Sequence, residues 1–431
     1  MKESILIKFI KYVSLNIIGM IGLSCYILAD TFFVARALGA NGLAALNFSI
    51  SIYSLIHGTG LMIGIGGATR YSILKSQNED EMSNKVFTVA IKLGVFIGII
   101  YSTIGVFRGE YLALILGADI STLEMTKTYL ITILLFAPFF ILNNIMLAFV
   151  RNDNNPNLSM VAMLVGSFSN IILDYIFMFP LGLGMFGAAF ATGLAPVISI
   201  VVLSIHFIKK KSRFKYINTK INKYTVIDIF RLGLSTFITE LSSAVVLITF
   251  NLVILKISGN LGVASYGIVA NIALVGIAIF TGIAQGIQPI ISNSYGLKNN
   301  KELRKVKKYS IITSLSIATV IYCVMFLNAD SIINIFNSEK NLEITNIARV
   351  GMKIYFLGFF FAGINIIMTM YLSVTEKARD AFIISIARGC VIIVPLVLLL
   401  SIVLKMNGVW LSFVLTEFIV TILVFFYNFK K

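Results

Sequence analysis

Polar and apolar positions do not alternate along this chain. Its polar residues gather in short clusters between long, nearly unbroken apolar runs. The runs reach about 20 residues or more, the length at which a helix crosses a bilayer. The short alternating segments of a strand barrel are missing from the pattern. Twelve spans are predicted, near 12–36, 43–74, 86–107, 128–150, 158–180, 187–208, 232–256, 262–295, 309–328, 350–375, 381–404 and 408–428. The predicted fold class is an all-α polytopic membrane protein.

The pattern also repeats. "GANGLAALNFSIS" (39–51) returns as "GNLGVASYGIVAN" (259–271), "FILNNIML" (140–147) as "FAGINIIM" (361–368), and "FGAAFAT" (186–192) as "NGVWLSF" (407–413). All three offsets are 220 or 221 residues, so the chain reads as a duplication. Six spans per copy is an even number, and both copies then enter the membrane from the same side. Parallel repeats of this kind give twelve transmembrane helices in two six-helix lobes related by a pseudo-twofold axis, with substrate between them. The expected lobes are 1–208 and 232–431, joined by a basic linker at 209–231.

Composition agrees and charge adds orientation. Of 431 residues 58% are hydrophobic and 13% charged, with a formal charge of +16. Most Lys and Arg fall on one side of the predicted spans: Lys2, Lys8 and Lys11, the linker run from Lys209 to Arg231, and the cluster from Lys298 to Lys308. The other side has few, among them Arg108, Lys127, Lys256, Lys340 and Lys405. By the positive-inside rule both termini and the linker are expected in the cytoplasm, in a cell inner or plasma membrane. The basic balance is thus a topology signal, and no nucleic-acid partner is expected. The first apolar run lacks a cleavage site and reads as a span, not a signal peptide. Cys25, Cys323 and Cys390 are far apart in predicted spans and read as buried free thiols. His57 and His206 stand alone, without an HExxH pattern or a His/Cys cluster.

Four acids fall well inside spans: Asp30, Asp174, Glu240 and Glu417. A carboxylate at a span's centre costs about 2.5–3.5 kcal/mol on insertion scales, and such groups mark ion or proton pathways. Asn170 and Asp174 are spaced i, i+4, as are Tyr26 and Asp30, so each pair shares a helix face. With Thr192 they offer carboxylate, amide and hydroxyl oxygens, which suit a hard cation such as Na⁺. Two nearby carboxylates can equally share a proton. The residues leave H⁺ and Na⁺ both open, and a buried polar cluster for packing is the bland alternative. Glu417 reads more as a hydrogen-bonding group between helices. In "GIAQGIQPI" the small residues permit close helix approach and Pro289 interrupts the hydrogen-bond ladder. Gln285 and Gln288 there either contact substrate or bond across helices.

The stretches "ILADTFFVARALGANGLAALN", "NNPNLSMVAMLVGSFSNIILDYIFMF", "GMFGAAFAT" and "GIAQGIQPIISNSYGLKNNKEL" resemble the multidrug and toxic compound extrusion (MATE) family, in its bacterial DinF-like and MepA-like branch. The resemblance covers nearly the whole chain. It implies alternating access and export of drugs and toxic organic compounds against inward Na⁺ or H⁺. It also implies a cation site at Asp30, Asn170, Asp174 and Thr192, with Tyr26 and Asn144 in its hydrogen-bond network. Substrate-cavity candidates are Glu240, Gln285, Gln288 and Asn365. Prolines frequent in the family's first and seventh spans are replaced by Leu15 and Ser235, and the tenth span lacks the acid of NorM-like members. The partners expected are small lipophilic, often cationic molecules and membrane lipid; a monomer without cofactors is expected. Two other readings compete. A flippase of lipid-linked oligosaccharide would favour a cationic cavity, whereas the in-span bases Arg70, Lys92 and Arg388 are scattered. A membrane-embedded enzyme would need a nucleophile or metal set that the two His residues do not supply.

Overall fold

A computed structural model describes residues 4–337 and 341–429; Lys2 and Lys340 lie outside them. The N-terminal half contains α1 (Ile5–Ser76), α2 (Asp80–Ile115), α3 (Leu123–Leu135), α4 (Ala137–Asn152), α5 (Pro156–Met178) and α6 (Gly184–Ile208). The C-terminal half contains α7 (Lys223–Gly296), α8 (Asn300–Leu327), the short α9 (Ala329–Phe336), α10 (Leu342–Tyr355), α11 (Phe359–Val374), α12 (Ala378–Ile386) and α13 (Ile393–Phe429). No strand occurs among the described residues. Among the described residues nine helical stretches are long and apolar enough to cross a bilayer, counting the α3–α4 pair, bent by 49°, as one. Three of the nine are broken inside, at Gly39, Gly259 and Lys405. Each of those supplies two spans, so the crossings number twelve.

The duplication is visible in backbone angles. Gly39 (φ 65°, ψ −152°) breaks α1, and Gly259 (φ 59°, ψ −156°) breaks α7 at the equivalent position. That region is essentially restricted to glycine, which explains why both copies keep one there. Other left-handed residues recur at the same offset, Asn78 with Lys298 and Gly184 with Lys405. The bend at Phe136 between α3 and α4 matches a 3₁₀ turn at Phe356–Gly358 between α10 and α11. By contrast, Pro289 lies within α7 without non-helical backbone angles there, and Leu15 lies in an unbroken stretch of α1.

The lobes meet through α1 and α7, and they meet most closely near the linker. A Cβ on Gly282 or Gly286 would fall 2.8 Å from the backbone of Ile17 or Val13, so those glycines let the two helices touch. The interlobe polar contacts cluster on the same side. Arg70 pairs with Asp228 at 3.3 Å and Glu376 at 2.9 Å. Gln288 accepts from Asn152 at 2.6 Å and donates to Thr69 at 2.9 Å.

The non-helical linker, 211–222, is strapped to the first lobe. The amides of Arg213, Lys215 and Ile217 donate to Asp153, Asn84 and Thr88, at 2.7, 2.9 and 3.0 Å. Lys92 Nζ donates to the Thr219 carbonyl at 2.6 Å. Two residues of extended chain rise about 6.6 Å and four residues of helix about 6 Å. Alternate linker residues therefore keep step with Asn84, Thr88 and Lys92 along α2. Phe214 plugs the strap into a cluster with Tyr71, Phe87 and Phe149.

The expectation of buried thiols is corrected. Cys25 and Cys323 are exposed and Cys390 is partly so, all three free. The outward face of a spanning helix meets lipid, where a thiol needs no protein around it.

Candidate functional site

Three helices of the first lobe bring the predicted polar residues together. Tyr26 and Asp30 lie a turn apart on α1, Asn170 and Asp174 a turn apart on α5, and Thr192 on α6. All five are buried, Asn170 and Asp174 completely. The Asn170 amide, oriented to donate to Asp174 Oδ2 (3.1 Å) and accept from the Thr192 amide (3.2 Å), satisfies both neighbours. The opposite orientation leaves its oxygen facing acceptors and its nitrogen 3.3 Å from Thr192 Oγ1. Asp30 and Asp174 are within electrostatic reach of each other. Tyr129 from α3 stands against Thr192 and within reach of both carboxylates. Yet Asp30 Oδ1 and Asp174 Oδ1 are buried without a hydrogen-bond partner among the described residues. Buried oxygens in that state normally cost free energy and call for an explanation.

Asp30 also opens onto a larger space. A cavity of about 510 Å³ lies between the lobes, with Tyr26, Asp30, Asn144 and Thr192 on one wall and Glu240 and Gln285 on the other. Tyr26 OH sits 2.7 Å from Tyr53 OH, and the Tyr53 ring stacks on His57 at 5.8 Å. Asn144 donates to His57 Nδ1 at 3.3 Å and to the Phe140 carbonyl at 3.1 Å, and makes no hydrogen bond to the two aspartates. Glu240 is half-buried on the opposite wall, its carboxylate without a hydrogen bond or ion pair among the described residues. Gln285 accepts from Arg151 at 2.9 Å at the linker end of the cavity. Gln288 is fully buried in the lobe seam and does not line the cavity.

The second lobe is arranged differently. Arg388 Nε donates to Glu417 Oε1 at 2.5 Å, and Asn365 donates to Glu417 Oε2 at 2.7 Å. Thr421 donates to Asn365 Oδ1 at 3.0 Å. Asn365 is thus a buried support for Glu417, away from the cavity lining. Arg388 sits in a π-helical turn, Ala387–Val391, of the sort often found at functional sites. Its charge is matched inside the lobe.

Sequence reasoning missed Tyr53, Tyr129 and Arg151. The tyrosines were indistinguishable from ordinary core aromatics. Arg151 fell just past the predicted end of a span, but its guanidinium is buried, donating to Asn16 at 2.7 Å. Among the described residues no three His, Cys, Asp or Glu side chains converge as a metal centre would require. Two carboxylates with amide and hydroxyl neighbours form a hard oxygen donor set, and a pair of nearby carboxylates can equally share a proton.

Two duplicated helical lobes, closed against each other on one side and enclosing a central cavity, have the architecture of a membrane transporter. More particularly, the chain belongs to the MatE family, whose model matches residues 16–176 and 236–399, once in each lobe. Similar proteins include the multidrug export protein MepA of Staphylococcus saprophyticus, 28% identical over 91% of this chain and 86% of the relative. The MepA of Staphylococcus aureus is 28% identical over the same shares. Among solved structures, a MATE protein in complex with MaL6 superposes with a TM-score of 0.93 at 22% identity, covering 99% of this chain and 96% of that one. An outward-facing multidrug resistance MATE transporter gives 0.92 at the same identity and coverage. These likenesses establish the twelve-helix, two-lobe fold.

Proposed function

We propose that the protein is an efflux antiporter that exports lipophilic, often cationic compounds by alternating access, driven by inward movement of H⁺ or Na⁺. The observation that carries this is the pair of unpartnered carboxylate oxygens on Asp30 and Asp174. Two buried aspartates accept one positive charge more readily than they remain ionised together. Asn170 and Thr192 complete the oxygen set, and Tyr26, a turn from Asp30, hydrogen-bonds Tyr53 at the cavity wall. Export of multiple drugs is the activity named for the MepA relatives. With both termini and the linker in the cytoplasm, contact between the lobes on the linker side would leave the cavity outward-facing.

The energetics suffice. One monovalent cation crossing 100 mV releases about 2.3 kcal/mol, and each 1.4 kcal/mol supports a tenfold gradient. One ion per cycle could therefore sustain a roughly 40-fold substrate gradient from voltage alone. Glu240, the uncompensated carboxylate on the second-lobe wall, would meet the substrate's positive charge, with Tyr53, Tyr266 and Phe413 for its apolar body. The cavity wall carries Asp30, Glu240 and Glu417 against Arg151 and Arg388, which is not the cationic lining a lipid-linked oligosaccharide flippase would favour.

The test is export of an ethidium-like dye from proteoliposomes with Na⁺ and pH gradients imposed separately. Export driven by one gradient is expected, with anionic dyes poor substrates. Export indifferent to both gradients would sink the coupled mechanism. Orientation is tested by labelling Lys215→Cys in intact cells with an impermeant thiol reagent; robust labelling would reverse the assignment.

A further inference from the structure

A second pocket, of about 310 Å³, lies in the linker-side seam, away from the central cavity, and almost every residue lining it is polar. Its first-lobe wall includes Lys8, Lys75, Asp80, Asp153 and Asn154 together with Arg213 from the strap; Asn293 comes from the second lobe.

The pocket's carboxylates are already engaged. Asp80 takes Lys75 at 2.6 Å. Asp153 takes His206 at 2.8 Å, the Tyr71 hydroxyl at 3.0 Å and the Arg213 amide at 2.7 Å. Asn154 Oδ1 accepts from Tyr12 at 3.2 Å, which leaves the Asn154 NH₂ as a donor. Two cations remain. Lys8 lies over the Tyr12 ring at 6.0 Å, and the Arg213 guanidinium is within electrostatic reach of Tyr71. Neither has a carboxylate partner among the described residues. The groups left to meet a ligand are an ammonium, a guanidinium and the amides of Asn78, Asn154 and Asn293. Such a donor set selects a ligand rich in acceptors and negatively charged, and guanidinium geometry favours an oxyanion.

We propose that this pocket is a binding site for a phosphate group, carried either by an anionic lipid headgroup or by free phosphate. The strap is what delivers Arg213: its own amide is tied to Asp153, and its carbonyl accepts from Lys75 at 3.4 Å. Both lobes contribute to the walls, so the site is complete only while they are in contact on this side. Its binding test does not depend on the efflux reading.

The test uses the purified full-length protein in neutral detergent and follows its melting temperature. One arm adds millimolar inorganic phosphate against chloride at equal ionic strength, which removes general screening. The other adds phosphatidylglycerol against phosphatidylcholine in mixed micelles. A ligand that binds the folded state alone raises the midpoint, here by about 2 °C or more. A rise with phosphate alone identifies a free anion, with phosphatidylglycerol alone a headgroup, and with both a site open to either. The double variant Lys8→Gln/Arg213→Gln should lose more than half of the rise. Lys209→Gln/Lys211→Gln, which removes two linker charges outside the pocket, should keep it. No rise from either source, or an undiminished rise in the Lys8/Arg213 variant, would overturn the assignment.

Discussion

The two lobes share one scaffold and differ in how their buried charges are compensated. In the first, Asp30 and Asp174 keep oxygens that no described residue satisfies. In the second, Glu417 is held by Arg388 and Asn365. At the repeat offset Asp174 corresponds to Pro395, Asn170 to Val391 and Asp30 to Phe250 or Asn251. Even the matched pair has diverged, since Asn144 faces His57 at the cavity while Asn365 turns inward to Glu417. A helix bundle that folds without the acids in one copy has no need of them in the other. Under the proposed coupling their presence in the first lobe serves what they bind, not how the lobe is built.

The largest effect expected from breaking that contrast is at the aspartates. Asp30→Asn or Asp174→Asn should each abolish gradient-driven export, a loss of about a hundredfold or more, with expression and melting temperature nearly unchanged. Dye export under imposed gradients checks it, and normal pumping by Asp174→Asn would remove the first lobe from the coupling scheme. Next is the second-lobe ion pair. Arg388→Met alone strands Glu417 and should destabilise by about 3 kcal/mol, whereas Arg388→Met with Glu417→Leu should recover most of that; a denaturation series in detergent distinguishes them. The shared scaffold gives a matched control. Gly39→Ala and Gly259→Ala should each cost about 1–3 kcal/mol, and a large inequality between them would mean the copies are no longer mechanically equivalent. The smallest effect is at Glu240. Glu240→Gln should raise KM for cationic dyes about three- to tenfold while leaving neutral substrates and ion dependence alone, as steady-state export rates would reveal.

Much of the scaffold was legible because a bilayer imposes length on its helices, and a duplication imposes a constant offset on their breaks. Gly39 and Gly259 were visible as repeated letters before they were visible as repeated angles. The aspartates were legible because carboxylates in apolar runs are costly. The partners they make were not. Whether Asn365 faced the cavity or Glu417, and whether Gln288 met substrate or Asn152, depended on helix rotation by a fraction of a turn. Hydropathy does not encode that rotation where both faces of a helix are apolar. The strap was equally hidden, since a basic, polar stretch reads as a solvated tether until Phe214 is seen in its aromatic cluster.

The strap also sets how far one lobe can wander from the other. With Thr219 the last residue held to α2 and α7 beginning at Lys223, only 220–222 are slack. Three extended residues reach about 10 Å. The second lobe is therefore tied to the first by a very short leash. During synthesis the same geometry would deliver its first helix beside a finished first lobe, so that pairing of the copies begins as a local search and not a diffusive one.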